Sequence, residues 1–234
     1  MCSRYVLSSA EKEILQAYAA EEKTGTLYKP NNNIAVTDPS LVITADEPDL
    51  IQYMDFGIIP QDVEIDDFDL DTFNARDDRL IKSRLWRPLL EKHQVCIILA
   101  NGFYEWKDVL YINKYIKQPY LFTLTDRPLF SFAGLWSQWI DPKTNLPRNT
   151  FAIITTTSNN TVGEVHEKKR MPVILSRENE KIWLDKNTPV NELVKLCVPY
   201  SDVLMKSETV SRTINRVKKK KPTIQLSIFP ENSE

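Results

Sequence analysis

Five apolar, aromatic-rich runs follow one another between residues 95 and 156, and they constrain the fold more than any other feature. They are Val95-Cys96-Ile97-Ile98-Leu99, Phe103 to Trp106, Tyr120 to Leu124, Phe130 to Trp136 and Phe151 to Thr156. The first is apolar at every position, as a strand buried on both faces must be. Strands this frequent, with few helices between them, predict a mostly antiparallel α+β domain with a barrel-like sheet.

The rest of the chain is read around that core. Ser8-Ser9-Ala10-Glu11 looks like a helix start, a hydroxyl cap before acidic first-turn residues. The pattern carries the helix to about Glu22, with Ile14, Leu15, Tyr18 and Ala19 inward, before Thr24-Gly25 breaks it. Residues 31–38 read as polar turns, Leu41 to Ile43 as a short strand, and Phe56 to Pro60 as a strand closed by proline. Residues 62–71 hold six carboxylates and read as an exposed loop. A second helix is expected from Arg84 to His93, with Pro88 in its first turn. Further on, Asn179 to Leu184 and Val190 to Cys197 read as short helices and Leu204 to Val210 as a strand. The segment after Lys218 is polar and basic and reads as partly disordered.

Length and composition set outer limits. The 234 residues fit one domain of above-average size or two small ones, and the 42% of hydrophobic residues suffice for a substantial core. No signal pattern and no apolar run near about 18 residues is present, so a cytosolic or nucleoid protein without a membrane partner is expected. Three cysteines (Cys2, Cys96, Cys197) without metal-type spacing, and two histidines, imply neither a disulfide framework nor a metal centre. The net charge of −2 does not advertise a nucleic-acid binder, yet Lys168-Lys169-Arg170 and residues 216–221 are locally basic.

A few residues carry chemistry. Met1-Cys2 comes first, because a Met followed by a small residue is normally trimmed during synthesis. Trimming leaves Cys2 with a free α-amine beside its thiol, and that amine has a pKa of roughly 7.7–8.0. An aldehyde would condense with the amine to an imine, and the thiol would close a thiazolidine ring. On position alone, Cys2 reads equally well as whatever follows the start codon. Glu105, between Tyr104 and Trp106, should be desolvated and raised in pKa toward proton-transfer range; the alternative is an edge-strand ion pair. His166, ahead of a basic turn, suits an acid/base role or a solvated loop, whereas His93 beside Lys92 reads as surface. Asn74 and the arginines Arg4, Arg76, Arg87 and Arg170 are each unremarkable singly.

Their order is informative. Met1-Cys2-x-Arg4-Tyr5, Gly57-Ile58-Ile59-Pro60, Asn74-Ala75-Arg76, Gly102-Phe103-Tyr104-Glu105-Trp106, Ala133-Gly134-Leu135-Trp136, Ile154-Thr155-Thr156, and His166 with Arg170-Met171-Pro172-Val173-Ile174-Leu175 resemble the SOS response-associated peptidase (SRAP) family. The resemblance runs from Cys2 to about Asn215 and implies an SRAP-like domain over residues 1–217, followed by the tail 218–234. It implies a shield for abasic sites in single-stranded DNA, acting through a thiazolidine cross-link after the protein removes its own Met1, with a lyase activity left open. Carried over by residue, Cys2 is the nucleophile, Asn74 positions sugar and Cys2, Glu105 is the catalytic carboxylate, and His166 assists ring opening. Arg4, Arg76 and Arg170 match DNA-contacting positions, and Arg87 matches one loosely. A cytoplasmic monomer without cofactor or metal, nucleoid-associated when bound to DNA, is expected.

The chain departs from the family pattern at Ser3 for the usual Gly, at Phe56 for Trp, in the acidic loop after Pro60, and in the longer spacer between His166 and Arg170. Two other readings stand beside the first. A cysteine peptidase acting on other proteins would use the same Cys and His but needs an oxyanion hole. A non-catalytic single-strand-binding module would need only aromatics and arginines.

Overall fold

The computed structural model describes residues 2–22, 28–61, 63 and 71–216. In chain order the strands are β1 (Arg4–Leu7), β2 (Glu21–Glu22), β3 (Asn31–Ala35), β4 (Pro39–Thr44), β5 (Leu50–Phe56), β6 (Asn74–Arg76) and β7 (Val95–Ala100). There follow β8 (Gly102–Tyr111), β9 (Lys114–Leu124), β10 (Phe130–Ile140), β11 (Pro147–Thr157), β12 (Arg170–Pro172), β13 (Ile174–Leu175) and β14 (Met205–Thr209). The helices are α1 (Glu11–Tyr18), α2 (Trp86–Glu91), α3 (Asn160–Gly163), α4 (Arg177–Leu184) and α5 (Val190–Lys195).

The apolar runs pair as neighbours. β11, β10, β7, β4 and β5 follow one another by antiparallel pairing, and a parallel pair, Thr150 with Asp55 and Phe151 with Phe56, closes the ring. The result is a small five-stranded barrel in an α+β domain, with every residue of β7 buried. A second sheet, in the order β14-β9-β8-β1-β3, packs against it. Tyr5 and Phe103 of that sheet carry the contact. Tyr5 meets Phe56 and Phe132 edge-on at centroid distances of 5.7 and 5.8 Å, while Phe103 meets Phe132 at 6.1 Å. Such geometry adds about 0.5–1.5 kcal/mol per pair beyond area burial.

Gly134 marks the tightest approach within the ring. A Cβ there would press on Ile98 Cδ1 and lie 2.8 Å from the carbonyl oxygen of Ala152. Gly134→Ala should therefore cost about 1–3 kcal/mol through overpacking. Chemical denaturation reads this as a lowered midpoint at unchanged slope, and an unshifted midpoint would contradict the packing.

The structure departs from the sequence pattern at several elements. Helix α1 stops at Tyr18 because Ala19 turns left-handed (φ 47°), and Glu21–Glu22 then adds to the edge of β5. Its cap is Ala10, whose N–H donates to Glu13 at 3.0 Å, while the N–H groups of Ser8 and Ser9 donate to Asn101. Asn31 to Ala35 forms a strand, since β1 offers it an open edge. The strand expected at Phe56 to Pro60 lies earlier, at β5, and Gly57 (φ 116°) ends it. Pro88 sits in the first turn of α2, and the acidic segment 62–71, apart from Val63 and Asp71, and the tail 218–234 lie outside the described residues. No helix among the described residues is long and apolar enough to cross a membrane.

Candidate functional site

Strand β1 pairs with β8 through Tyr5 with Phe103 and Val6 with Gly102, a register that carries the first residues toward Glu105. Cys2 is 1% exposed, and its thiol donates to the Arg4 carbonyl at 3.6 Å. Glu105, the fourth residue of β8, is 2% exposed. The continuous antiparallel pairing of β8 with β9 leaves this carboxylate no freedom to swing outward.

The remaining side chains come from elements held by β11. On one side β6 pairs in parallel with it, and this delivers Asn74, whose Nδ2 donates to the Cys2 carbonyl at 2.9 Å. Asn74 Oδ1 is buried and finds no donor among the described residues. On the other side β12 pairs with β11, and the turn before it delivers His166. That turn is tight: Lys169 adopts φ 48°, and its N–H donates to the His166 carbonyl. The Arg170 N–H donates to His166 Nδ1 at 3.2 Å, so the proton of a neutral imidazole must sit on Nε2. Nε2 in turn lies 3.5 Å from Glu105 Oε2.

Burial sets the electrostatics. Glu105 is pushed up to about 7 by desolvation, with the positive chain terminus opposing the rise. His166 is pushed down to about 4, again chiefly by burial, and positive neighbours including the chain terminus and Lys168 add to this. The pair at neutral pH is thus a neutral imidazole beside a carboxyl poised to titrate, and it is no ion pair. The Cys2 thiol is raised well above its ordinary value by burial and then by the Glu105 charge. It rests protonated.

Cys2, Asn74, Glu105 and His166 therefore share one buried site, though they come from four separate stretches of chain. The arginines lie differently. Arg4 donates to Asn33 Oδ1 at 3.4 Å and to the Ile214 carbonyl. Arg76 is 42% exposed and grips Asp78 through two bonds of 2.9 and 2.7 Å. Arg87 is exposed on α2 and pairs with Glu91 one turn on. Arg170 is buried, and its Nη2 is occupied by Asp77 at 2.8 Å and by Thr155. Sequence reasoning missed Asp77, which also accepts from Thr156 Oγ1 at 2.7 Å. Its place directly after Arg76 was the available signal, but only the β6–β11 pairing turns it toward Arg170. His93, read as surface, is half-buried and bonds the Thr188 carbonyl at 2.8 Å.

A barrel-centred α+β protein that buries its first residues beside a carboxyl–imidazole pair is the class that fold and site define. The chain belongs to the SOS response associated peptidase (SRAP) family, whose model matches residues 1–217. Among its relatives, abasic site processing protein YoqW of Bacillus subtilis (strain 168) is 34% identical over 229 residues, spanning 96% of this chain and 98% of the relative. Abasic site processing protein HMCES of Xenopus tropicalis is 26% identical over 268 residues, spanning 98% and 79%. In fold, the chain resembles the crystal structure of a Bacteroides thetaiotaomicron protein, with a TM-score of 0.80 at 24% identity over 93% of this chain and 95% of that one.

Proposed function

We propose that this protein shields abasic sites in single-stranded DNA by forming a covalent thiazolidine through Cys2, after hydrolysing its own Met1–Cys2 bond. One observation carries the reading: the Cys2 carbonyl is held 2.9 Å from Asn74 Nδ2 within a buried site that also contains the Glu105–His166 pair. An abasic sugar rests mainly as a closed hemiacetal, so a proton must move before the aldehyde is available. The neutral imidazole of His166 transfers it, taking the hydroxyl proton and returning one to the ring oxygen. Asn74 Oδ1, buried and open to a donor, accepts the sugar hydroxyl.

The bond changes balance without an oxidant. The Cys2 amine adds to the aldehyde carbon, and the resulting carbinolamine loses one water to give an imine. The thiol then adds to the imine carbon, with its proton ending on nitrogen. Glu105, with a pKa near 7, accepts a proton from the amine and returns it to the departing hydroxyl. A cysteine peptidase would instead need a thiolate paired with its histidine. Here the thiol is raised, and His166 Nε2 faces Glu105. We further propose that the protein works as a cytoplasmic monomer, on the nucleoid when bound to DNA.

Intact mass spectrometry tests the reading. The purified protein should lack Met1, and incubation with abasic single-stranded DNA should add the oligonucleotide mass less one water. Undamaged DNA should add nothing. Active protein that retains Met1 would end the aminothiol mechanism.

Recognition should be electrostatic, since a lesion without a base offers no edge to read. Arg76 is the best placed of the four arginines, because it can exchange its exposed Asp78 partner for a phosphate. Arg76→Ala should reduce the log–log salt slope of noncovalent binding by about 0.7, the share of one contact on a single strand. The measurement uses Cys2→Ala protein to prevent cross-linking. Arg170→Ala should act mainly on thermal stability, because it strips Asp77 and Thr155 of a buried partner. An unchanged slope in Arg76→Ala would relocate the DNA groove.

A further inference from the structure

Strand β8 begins at the buried site and ends in solvent. From Glu105 opposite Tyr120 it runs out with β9 to Tyr111 opposite Lys114, and the two-residue turn Ile112-Asn113 closes the hairpin. Exposure climbs from 2% at Glu105 to 66% at Leu110, 50% at Tyr111, 77% at Ile112 and 75% at Tyr115. Both turn residues are left-handed, with φ 44° at Ile112 and 60° at Asn113. A β-branched residue is costly there, where Gly or Asn would relax the turn. Large apolar side chains clustered at an exposed tip mark a contact surface.

Directly opposed residues share a face of the hairpin. Lys107 with Gln118, Val109 with Ile116, and Tyr111 with Lys114 therefore lie on the Glu105 face, interleaving lysine, aliphatic and aromatic groups outward from the carboxyl. The guanidinium of Arg212 sits 5.7 Å over the Tyr111 ring. Ile116, Lys117, Ser211, Arg212, Thr213 and Asn215 line a cavity of about 580 Å³ beside it. Lys107, Lys114, Lys117 and Arg212 stand against one exposed carboxylate, Asp108, which pairs with Lys117 at 2.6 Å.

We propose that the β8–β9 hairpin is a second arm of the DNA site, on which unpaired bases flanking the lesion stack while the lysines and Arg212 hold their phosphates. The proposal rests on the single-strand reading given above and extends it beyond the reacting residues. Tyr111 and Tyr115 offer ring faces that any base can stack on, so the arm is blind to sequence. Its excess of cations favours a polyanion and opposes a second copy of the same hairpin. Continuity along β8 sets the arm in line with Glu105.

The test measures affinity for undamaged oligodeoxythymidine by fluorescence anisotropy, in a Cys2→Ala background where no cross-link forms. The double variant Tyr111→Ala/Tyr115→Ala should bind about tenfold more weakly or worse, from lost stacking. Ile112→Asn should melt higher, because Asn tolerates the left-handed backbone, yet bind more weakly. In the cross-linking assay, protein with an intact hairpin should react faster with a long abasic strand than with an abasic trinucleotide. The double variant should lose that advantage of length. Unchanged affinity in a correctly folded double variant would overturn the arm, as would an Ile112→Asn protein that melts higher and binds as before. Failure of the cross-linking reading would show separately, as absence of any adduct with the hairpin intact.

Discussion

Cys2→Ala protein should form no heat- and denaturant-stable adduct with abasic single-stranded DNA, while protein with Cys2 converts to it fully. The amine alone can still condense with the aldehyde, but an imine hydrolyses, and only sulfur closes the five-membered ring. Borohydride should therefore rescue a cross-link in Cys2→Ala by reducing the imine, and the unreduced sample should stay free. The resting state of the thiol supports this order of events. Burial and the Glu105 charge hold it protonated, so it is a poor first nucleophile, and the amine must act before it. Gel electrophoresis after heating measures the adduct, with a melting curve to show that Cys2→Ala is folded. Equal adduct without reductant would refute the role of sulfur.

How much of this was legible beforehand depends on whether the signal was local. The barrel strands announced themselves, because β7, β10 and β11 are apolar enough to be recognised without their partners. The edges did not. Asn31 to Ala35 reads as turns by composition and becomes a strand only because β1 presents unpaired backbone beside it. Likewise Glu21–Glu22 has helical propensity and yields to pairing with β5. At the site, Cys2, Asn74, Glu105 and His166 were identifiable as residue types in family blocks, and the structure brings all four together. What a one-dimensional reading lacks is the partner of each charge. Arg170 was read as a contact for DNA, yet its guanidinium is held by Asp77 and Thr155, and through its own N–H it fixes the tautomer of His166. Nothing in the string of residues distinguishes that arginine from Arg76, which lies half-exposed at the far side of Asp77.

Glu105→Gln and His166→Ala should each slow cross-linking by about 10²–10⁴-fold, the usual worth of a positioned acid or base. The two variants are separated by pH. Glu105 titrates at about 7, so the rate should rise with pH through that value as the carboxylate forms. In Glu105→Gln the rise should move to the amine itself, at roughly 7.7–8.0. His166, held down at about 4, is neutral throughout this range, so His166→Ala should lower the rate and leave the midpoint in place. Stability offers an independent check, with opposite signs for the two groups. An acid raised from 4.5 to about 7 costs folding energy as pH climbs through that window, on the order of 2–3 kcal/mol by neutral to alkaline pH. Glu105→Gln removes that cost and should melt higher than the unsubstituted protein at pH near 8 while reacting more slowly. A base lowered from 6.5 to about 4 acts the other way, since its contribution is intact above 6.5 and fades as pH falls toward 4. His166→Ala should therefore flatten the loss of stability on acidification. Stopped-flow or quenched cross-linking across pH, run beside melting curves, gives both readouts. A Glu105→Gln protein that is slower at every pH with the midpoint still near 7 would assign that titration to another group.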